Sequence, residues 1–142
     1  AINSLISFGN SIIYSITLSQ IYQTQLDSRI GYLHSTNGRS FSLNLDVSEI
    51  FKPILVDRAI FSVVNKKIIT EKDFQKDLGG IILKENSRKT FAQELTDKLS
   101  ATIKLPNLSY RVSYKRLIRL ELYKLQKHLT EGIVYEPFMA KW

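Results

Sequence analysis

One histidine and two carboxylates carry the chemistry that stands out in this chain: His34, Asp46 and Glu49. If residues 42–52 are helical, Asp46 and Glu49 stand at i and i+3 and share one face. His34 falls in the loop just before that helix, so its imidazole can close over the same face. One imidazole with clustered carboxylates is a mixed nitrogen and oxygen donor set, suited to Mg²⁺ or Mn²⁺ rather than to a soft metal. A hard cation beside a basic surface points to phosphodiester chemistry, in which the metal neutralises charge developing on the phosphate and activates a hydroxyl. The same three residues also fit a plainer arrangement, a loop histidine bonded to backbone and two solvated helix acids. On spacing alone the plainer arrangement is the better fit.

A second constellation lies near the C-terminus. Arg116, Arg119, Tyr123 and Lys127 recur at i, i+3, i+7 and i+11, with Lys115 and Lys124 beside them and Glu121 as the single acid. Arg111 extends the patch. Such a stripe can neutralise phosphates along a nucleic-acid backbone without reading bases. It can equally be a solvated helix face whose long side chains lie along apolar surface. The charge distribution bears on the choice. Residues 1–57 hold three basic and four acidic side chains, whereas residues 58–142 hold 17 basic and nine acidic ones, so the net charge of +7 is concentrated in the second part. A basic half beside a near-neutral half with clustered acids suits a polyanion binder that has a separate acidic site.

These residues need a scaffold, and the composition limits it. At 142 residues, with 44% hydrophobic and 23% charged residues, the chain is one globular domain able to bury a core. The absence of Cys excludes disulfides, thiolate nucleophiles and Cys-ligated metal sites. Six Gly and three Pro are too few for a turn-rich β sandwich or barrel. No run approaches the ~18 apolar residues of a membrane span. The chain begins at Ala1 inside a helical pattern, without Met or a capping lead-in, so a fragment of a longer protein is expected.

The hydrophobic pattern predicts a mainly all-α fold. Ile2, Leu5, Ile6, Ile13, Ile16 and Ile21 outline a first helix over residues 1–23, with Phe8, Tyr14 and Tyr22 read as packing residues. A second long element runs from Phe41 to Asn65 on Leu43, Val47, Ile50, Phe51, Ile54, Phe61 and Val64, and Pro53 should kink or divide it. Asp57-Arg58 reads as a structural ion pair. In the connector 66–84, Thr70 and Asp73 cap a short helix through about Lys76, Gly79-Gly80 form a turn, and Ile68-Ile69 pair with Ile81–Leu83 in a small β ribbon. A third helix is predicted over 86–104, with Phe91, Leu95, Leu99, Thr102 and Ile103 on one stripe and Pro106 as its stop. Ser113 caps a fourth helix, buried along Ile118, Leu122, Leu125 and Leu129 and ended by Gly132. His128 lies beside that seam and is given no catalytic role.

Two runs carry a family resemblance. Leu26-Asp27-Ser28-Arg29-Ile30-Gly31-Tyr32-Leu33-His34 resembles the Gly-Leu-Asp-Pro-x-x-Gly-Phe-Leu-His signature of the CRISPR adaptation integrase, the endonuclease numbered first among the CRISPR-associated proteins. Ser42 through Arg58 is similar to that family's Asp-Leu-x-Glu-x-Phe-Arg-Pro-x-x-x-Asp-Arg run, here with Asp46, Glu49, Phe51, Lys52 and Pro53. The opening Ser4–Tyr14, the stretch Val112–Lys124 and Tyr135-Glu136-Pro137-Phe138 also fit. Departures are Gln25 for Gly, Ser28 for Pro, Lys52 for Arg and Asn10 for a usual Tyr.

The resemblance implies that residues 1–142 are a single fragment of the helical C-terminal catalytic domain. The N-terminal β domain and the upstream part of the helical domain are then missing. It implies metal-dependent cutting and joining of DNA, by which foreign spacers enter a CRISPR array in antiviral defence. His34 and Glu49 are the implied catalytic ligands of Mg²⁺ or Mn²⁺, Asp46 supports them, and the family's third ligand, a Glu, lies upstream of this chain. The implied partners are spacer-precursor and repeat DNA, a second copy in a homodimer and the small second adaptation protein. The implied location is cytoplasmic. The fragment alone is then expected to be inactive or nearly so. Two other classes stay open: a non-catalytic, sequence-independent DNA-binding helical module, and an inactive piece left by proteolysis.

Overall fold

The computed structural model describes residues 1–25 and 46–139, except the side chains of residues 24, 25, 126, 129 and 130. Four helices pack around one core among these residues: α1 (Ile2–Gln25), α2 (46–65), α3 (Glu85–Ser100) and α4 (Tyr114–Glu131). Two antiparallel ribbons join them, β1 (Phe74–Asp77) with β2 (Gly80–Leu83), and β3 (Thr102–Lys104) with β4 (Arg111–Ser113). The mainly helical fold with a small ribbon inside 66–84 is therefore as expected. None of the described helices is long and apolar enough to cross a membrane.

Helix α1 touches each of the other three. Its inward row is Leu5, Gly9, Ile13, Thr17 and Ile21, while Ile2 and Ile6 face outward. Two of the serines that weaken its intrinsic propensity use their hydroxyls within the helix: Ser11 donates to the Phe8 carbonyl at 2.7 Å and Ser15 to the Ser11 carbonyl at 3.0 Å. Gly9 is where α1 approaches α2. A Cβ there would lie 2.6 Å from Val56 Cγ1, and Val56 is fully buried. Alanine gains about 1 kcal/mol of helix propensity over glycine, but overpacking a filled site costs about 1–3 kcal/mol. Gly9→Ala is therefore expected to lower stability by about 1 kcal/mol net in urea unfolding. Unchanged or increased stability would show that the two helices part freely.

Pro53, expected to kink or divide this element, instead marks a π turn within one continuous helix. Residues Lys52–Val56 make a π turn inside α2. Proline lacks an amide proton and crowds the carbonyl one turn back, and a wider turn relieves both problems. The extra residue changes which side chains face inward. Ile54, Leu55 and Val56 are all buried, followed by Ala59 and Val63. Phe61 and Val64, expected in the core from a straight periodicity, are exposed. The helix ends with Lys67 at φ 56°, while the Ile68 amide donates to the Val63 carbonyl at 2.9 Å. Glycine more often fills that left-handed position.

Three local expectations need correction. Thr70 and Asp73 do form a capping box, but the helix they cap is one 3₁₀ turn, Glu71–Asp73, and strand begins at Phe74. Asp73 also accepts from the Ser87 hydroxyl at 2.6 Å, and that bond, with the Thr70 amide, holds its carboxyl below the ordinary value. The strand facing Ile81–Leu83 is Phe74–Asp77 rather than Ile68-Ile69, because the two-residue turn Leu78-Gly79 fixes the register Asp77 to Gly80. Helix α3 stops at Ser100. Phe91, Leu95 and Leu99 are buried as expected, but Thr102–Lys104 leave the helix and pair with Arg111–Ser113. The β-branched Thr102 and Ile103 gain a partner strand there, with Ile103 opposite Val112.

Helix α4 begins and ends where its signals stand. Ser113 Oγ accepts from the Arg116 amide at 3.0 Å, and Gly132 takes φ 67°. Ile118, Leu122 and Leu125 are buried, as are Tyr114 and Leu117, and the Leu129 side chain lies outside the described ones. Arg58 of α2 donates to the Tyr114 hydroxyl at 3.2 Å, which ties α2 to the start of α4.

Candidate functional site

Asp46 and Glu49 lie on the first described turn of α2, both exposed, while Val47, Ser48 and Phe51 of the same stretch are buried. The apolar face anchors the turn and the acids project from it one helical turn apart. Lys52 Nζ lies 2.8 Å from Glu49 Oε1, on a side chain that is 69% exposed. An exposed pair of this kind is worth about 0–1 kcal/mol and yields readily to a stronger partner. Two carboxylates one helical turn apart are hard oxygen donors and fit a divalent cation such as Mg²⁺ or Mn²⁺. His34 lies outside the described residues, as do the loop after it and Leu43. No cluster of three or more potential metal-binding side chains forms among the described residues.

Behind this turn lies a feature that sequence reasoning missed. Glu121 stands in the sequence as the single acid of a basic stripe, yet only 2% of it is exposed. Its Oε1 accepts from the Tyr135 hydroxyl at 2.5 Å and from the Phe138 amide at 3.0 Å. Its Oε2 lies 3.1 Å from Lys124 Nζ, which also donates to the Glu136 carbonyl at 2.9 Å. The segment after Gly132 is thus strapped back over α4. Phe138 stacks on Phe51 with ring centroids 5.8 Å apart and planes 7° from parallel. Burial raises the pKa of the Tyr135 hydroxyl, and the hydrogen bond to Glu121 and the negative charges of Glu121 and Asp46 push it further up. The sequence did hold a signal, because Glu121 sits three residues after Ile118 and four before Leu125, on the apolar seam itself.

The basic residues separate into two groups. Lys115, Arg116 and Lys127 are exposed. Arg119 is half-buried and its guanidinium donates to Gln20 at 2.9 Å and to Gln23, joining α4 to α1. Arg111 donates to Thr102 Oγ1 at 3.0 Å and to the Thr102 carbonyl at 2.7 Å across the second ribbon. Tyr123 is half-buried on α4. Lys104, Lys124 and Lys127 border a cleft of about 720 Å³ between the second ribbon, α4 and the 132–139 segment. His128 Nδ1 lies 2.8 Å from the Ile133 carbonyl, at the bend into that segment.

The arrangement of helices that presents these two acids is shared with a solved CAS1 protein from Thermotoga maritima. That Cas1 structure superposes with a TM-score of 0.74 at 49% identity, covering 89% of this chain and 39% of the other. The profile of the family described as CRISPR associated protein Cas1 matches residues 1–97. The CRISPR-associated endonuclease Cas1 2 of Thermodesulfovibrio yellowstonii is 57% identical over 99% of this chain, and the endonuclease Cas1 of Clostridium perfringens is 50% identical over the same share. The chain belongs to the Cas1 family. It spans less than half the length of these relatives, 43% of each. A casposase bound to integration product shares the fold, with a TM-score of 0.76 at 22% identity.

Proposed function

We propose that this chain is the helical catalytic part of a CRISPR spacer integrase, a metal-dependent enzyme that cuts and joins DNA phosphodiesters in the cytoplasm. The observation that carries this reading is the Asp46–Glu49 pair, held outward on a buried turn in a chain 57% identical to a Cas1 endonuclease. His34 and Glu49 would hold Mg²⁺ or Mn²⁺, and Asp46 would add negative charge beside them. The cation supplies charge neutralisation at the phosphate and activates the attacking hydroxyl. Lys115, Arg116 and Lys127 would grip the DNA backbone without reading sequence. Arg119, Arg111 and Tyr123 would support that surface through the elements they belong to. DNA of the spacer precursor and the repeat, a second copy of the protein and the small second adaptation protein are the proposed partners. The third ligand is proposed to come from the upstream Glu of the family pattern, so these 142 residues alone cut DNA poorly or not at all.

The test combines binding and cutting. Duplex or branched DNA should bind these 142 residues weakly and without sequence preference. With roughly four phosphate contacts, affinity should fall on the order of a hundredfold between 50 and 200 mM salt. Affinity that barely changes with salt, or survives joint replacement of Lys115, Arg116 and Lys127 by Ala, removes the electrostatic account. A chain extended to carry the upstream Glu should nick plasmid DNA only with Mg²⁺ or Mn²⁺. Salt-sensitive binding with no nicking by the extended chain would instead select a non-catalytic DNA-binding module.

A further inference from the structure

We propose that Glu121 is a positioning residue for the acidic turn: it pins the segment 132–139 so that Phe138 backs Phe51 and holds Asp46 and Glu49 in place. This rests on the catalytic reading given above. A carboxylate as buried as Glu121 is expensive to keep charged unless donors satisfy it. Two of its donors among the described residues, the Tyr135 hydroxyl and the Phe138 amide, come from one short stretch beyond α4, and Lys124 ties the same stretch through the Glu136 carbonyl. The requirement is mutual. Without Glu121 the stretch loses two of its anchors, and without the stretch Glu121 loses two of its partners.

What the anchor delivers is a stacked ring. Phe138 lies flat against Phe51, which points into the core two residues after Glu49 on the same stretch of α2. The π turn begins at the next residue, Lys52, where α-helical hydrogen bonding is already interrupted. A turn with a weakened helical ladder on one side relies on side-chain packing to stay rigid. The negative charge of Asp46 also acts on the Tyr135 hydroxyl, in the same direction as that of Glu121. Phosphodiester chemistry is sensitive to ligand placement, with a displacement of about 1 Å able to lower a rate on the order of a hundredfold.

The experiment reads structure and catalysis separately. Amide hydrogen exchange of this protein should show Phe138, Ile50 and Phe51 exchanging about tenfold faster or more in Glu121→Ala. Glu121→Gln keeps an acceptor oxygen at the same place and should restore slow exchange. Phe138→Ala leaves Glu121 in position and should still speed exchange at Ile50 and Phe51. It stands in if Glu121→Ala does not fold. In the extended chain that cuts DNA, Glu121→Ala and Phe138→Ala should each raise the Mn²⁺ concentration for half-maximal cutting about tenfold, within the range seen when groups supporting metal ligands are lost. The double variant should be no worse than either single one, because both act through one contact. The proposal is overturned if Phe138→Ala leaves exchange at Ile50 and Phe51 unchanged, or if the two variants cut at normal Mn²⁺ demand. If the unmodified extended chain shows no metal-dependent cutting, the catalytic reading fails while the exchange data still decide whether the strap holds the turn.

Discussion

Glu49→Ala in the extended chain is expected to reduce metal-dependent DNA cutting by at least about a hundredfold while leaving the fold intact. The two halves of that expectation have different physical grounds. Activity falls because a hard cation held by few protein groups loses both charge and position when one carboxylate is removed, and misplacement of about 1 Å already costs on the order of a hundredfold. Stability survives because the Glu49 side chain is largely exposed and its ion pair with Lys52 is a surface pair worth about 0–1 kcal/mol. His34→Ala should match it in cutting. Asp46→Ala, at a supporting position, should lose less, about 10–100-fold. Single-turnover cutting across a Mn²⁺ series, with thermal unfolding alongside, measures both halves. A Glu49→Ala variant that cuts at the parental rate would eliminate Glu49 as a ligand.

The largest effect on stability is expected at Phe91. This side chain is fully buried on α3 and meets the ring of Phe8 on α1 at 6.2 Å between centroids. Phe91→Ala removes the transfer free energy of the ring and leaves a cavity that α1, α2 and α4 can only partly close, for a loss of about 3–5 kcal/mol. Folded domains hold about 5–15 kcal/mol in all, so this one change removes a large share of the total. Urea unfolding should show the midpoint falling with the slope unchanged. A loss below about 1 kcal/mol would mean that the surrounding helices collapse onto the vacated space, contrary to the usual behaviour of a close-packed core. Leu95→Ala, one turn along the same stripe and equally buried, provides an internal comparison, with an expected loss of about 2–5 kcal/mol.

Features whose causes are local could be read directly from the order of the residues. Ser113 and Gly132 bound α4 because a hydroxyl satisfies an orphan amide and glycine accepts a left-handed φ. Phe91, Leu95 and Leu99 mark the buried stripe of α3. The i, i+3 spacing of Asp46 and Glu49 puts both acids outside on one helix, and the runs around His34 and Pro53 carry the family resemblance. Tertiary structure decided whatever depends on a distant partner. Thr102–Lys104 continue the apolar period of α3, yet become strand because Arg111–Ser113 lie alongside to pair with them. Arg119 sits on a basic stripe, yet joins α4 to α1 because Gln20 and Gln23 lie opposite. Phe61 and Val64 fit a straight helix, yet face solvent because the π turn at Pro53 rotates the rest of α2 about its axis. Glu121 shows the limit most clearly. An ionisable side chain on an apolar seam announces only that something must satisfy it, and the donors that do so, Tyr135 and Phe138, reach it only when the chain folds back over α4.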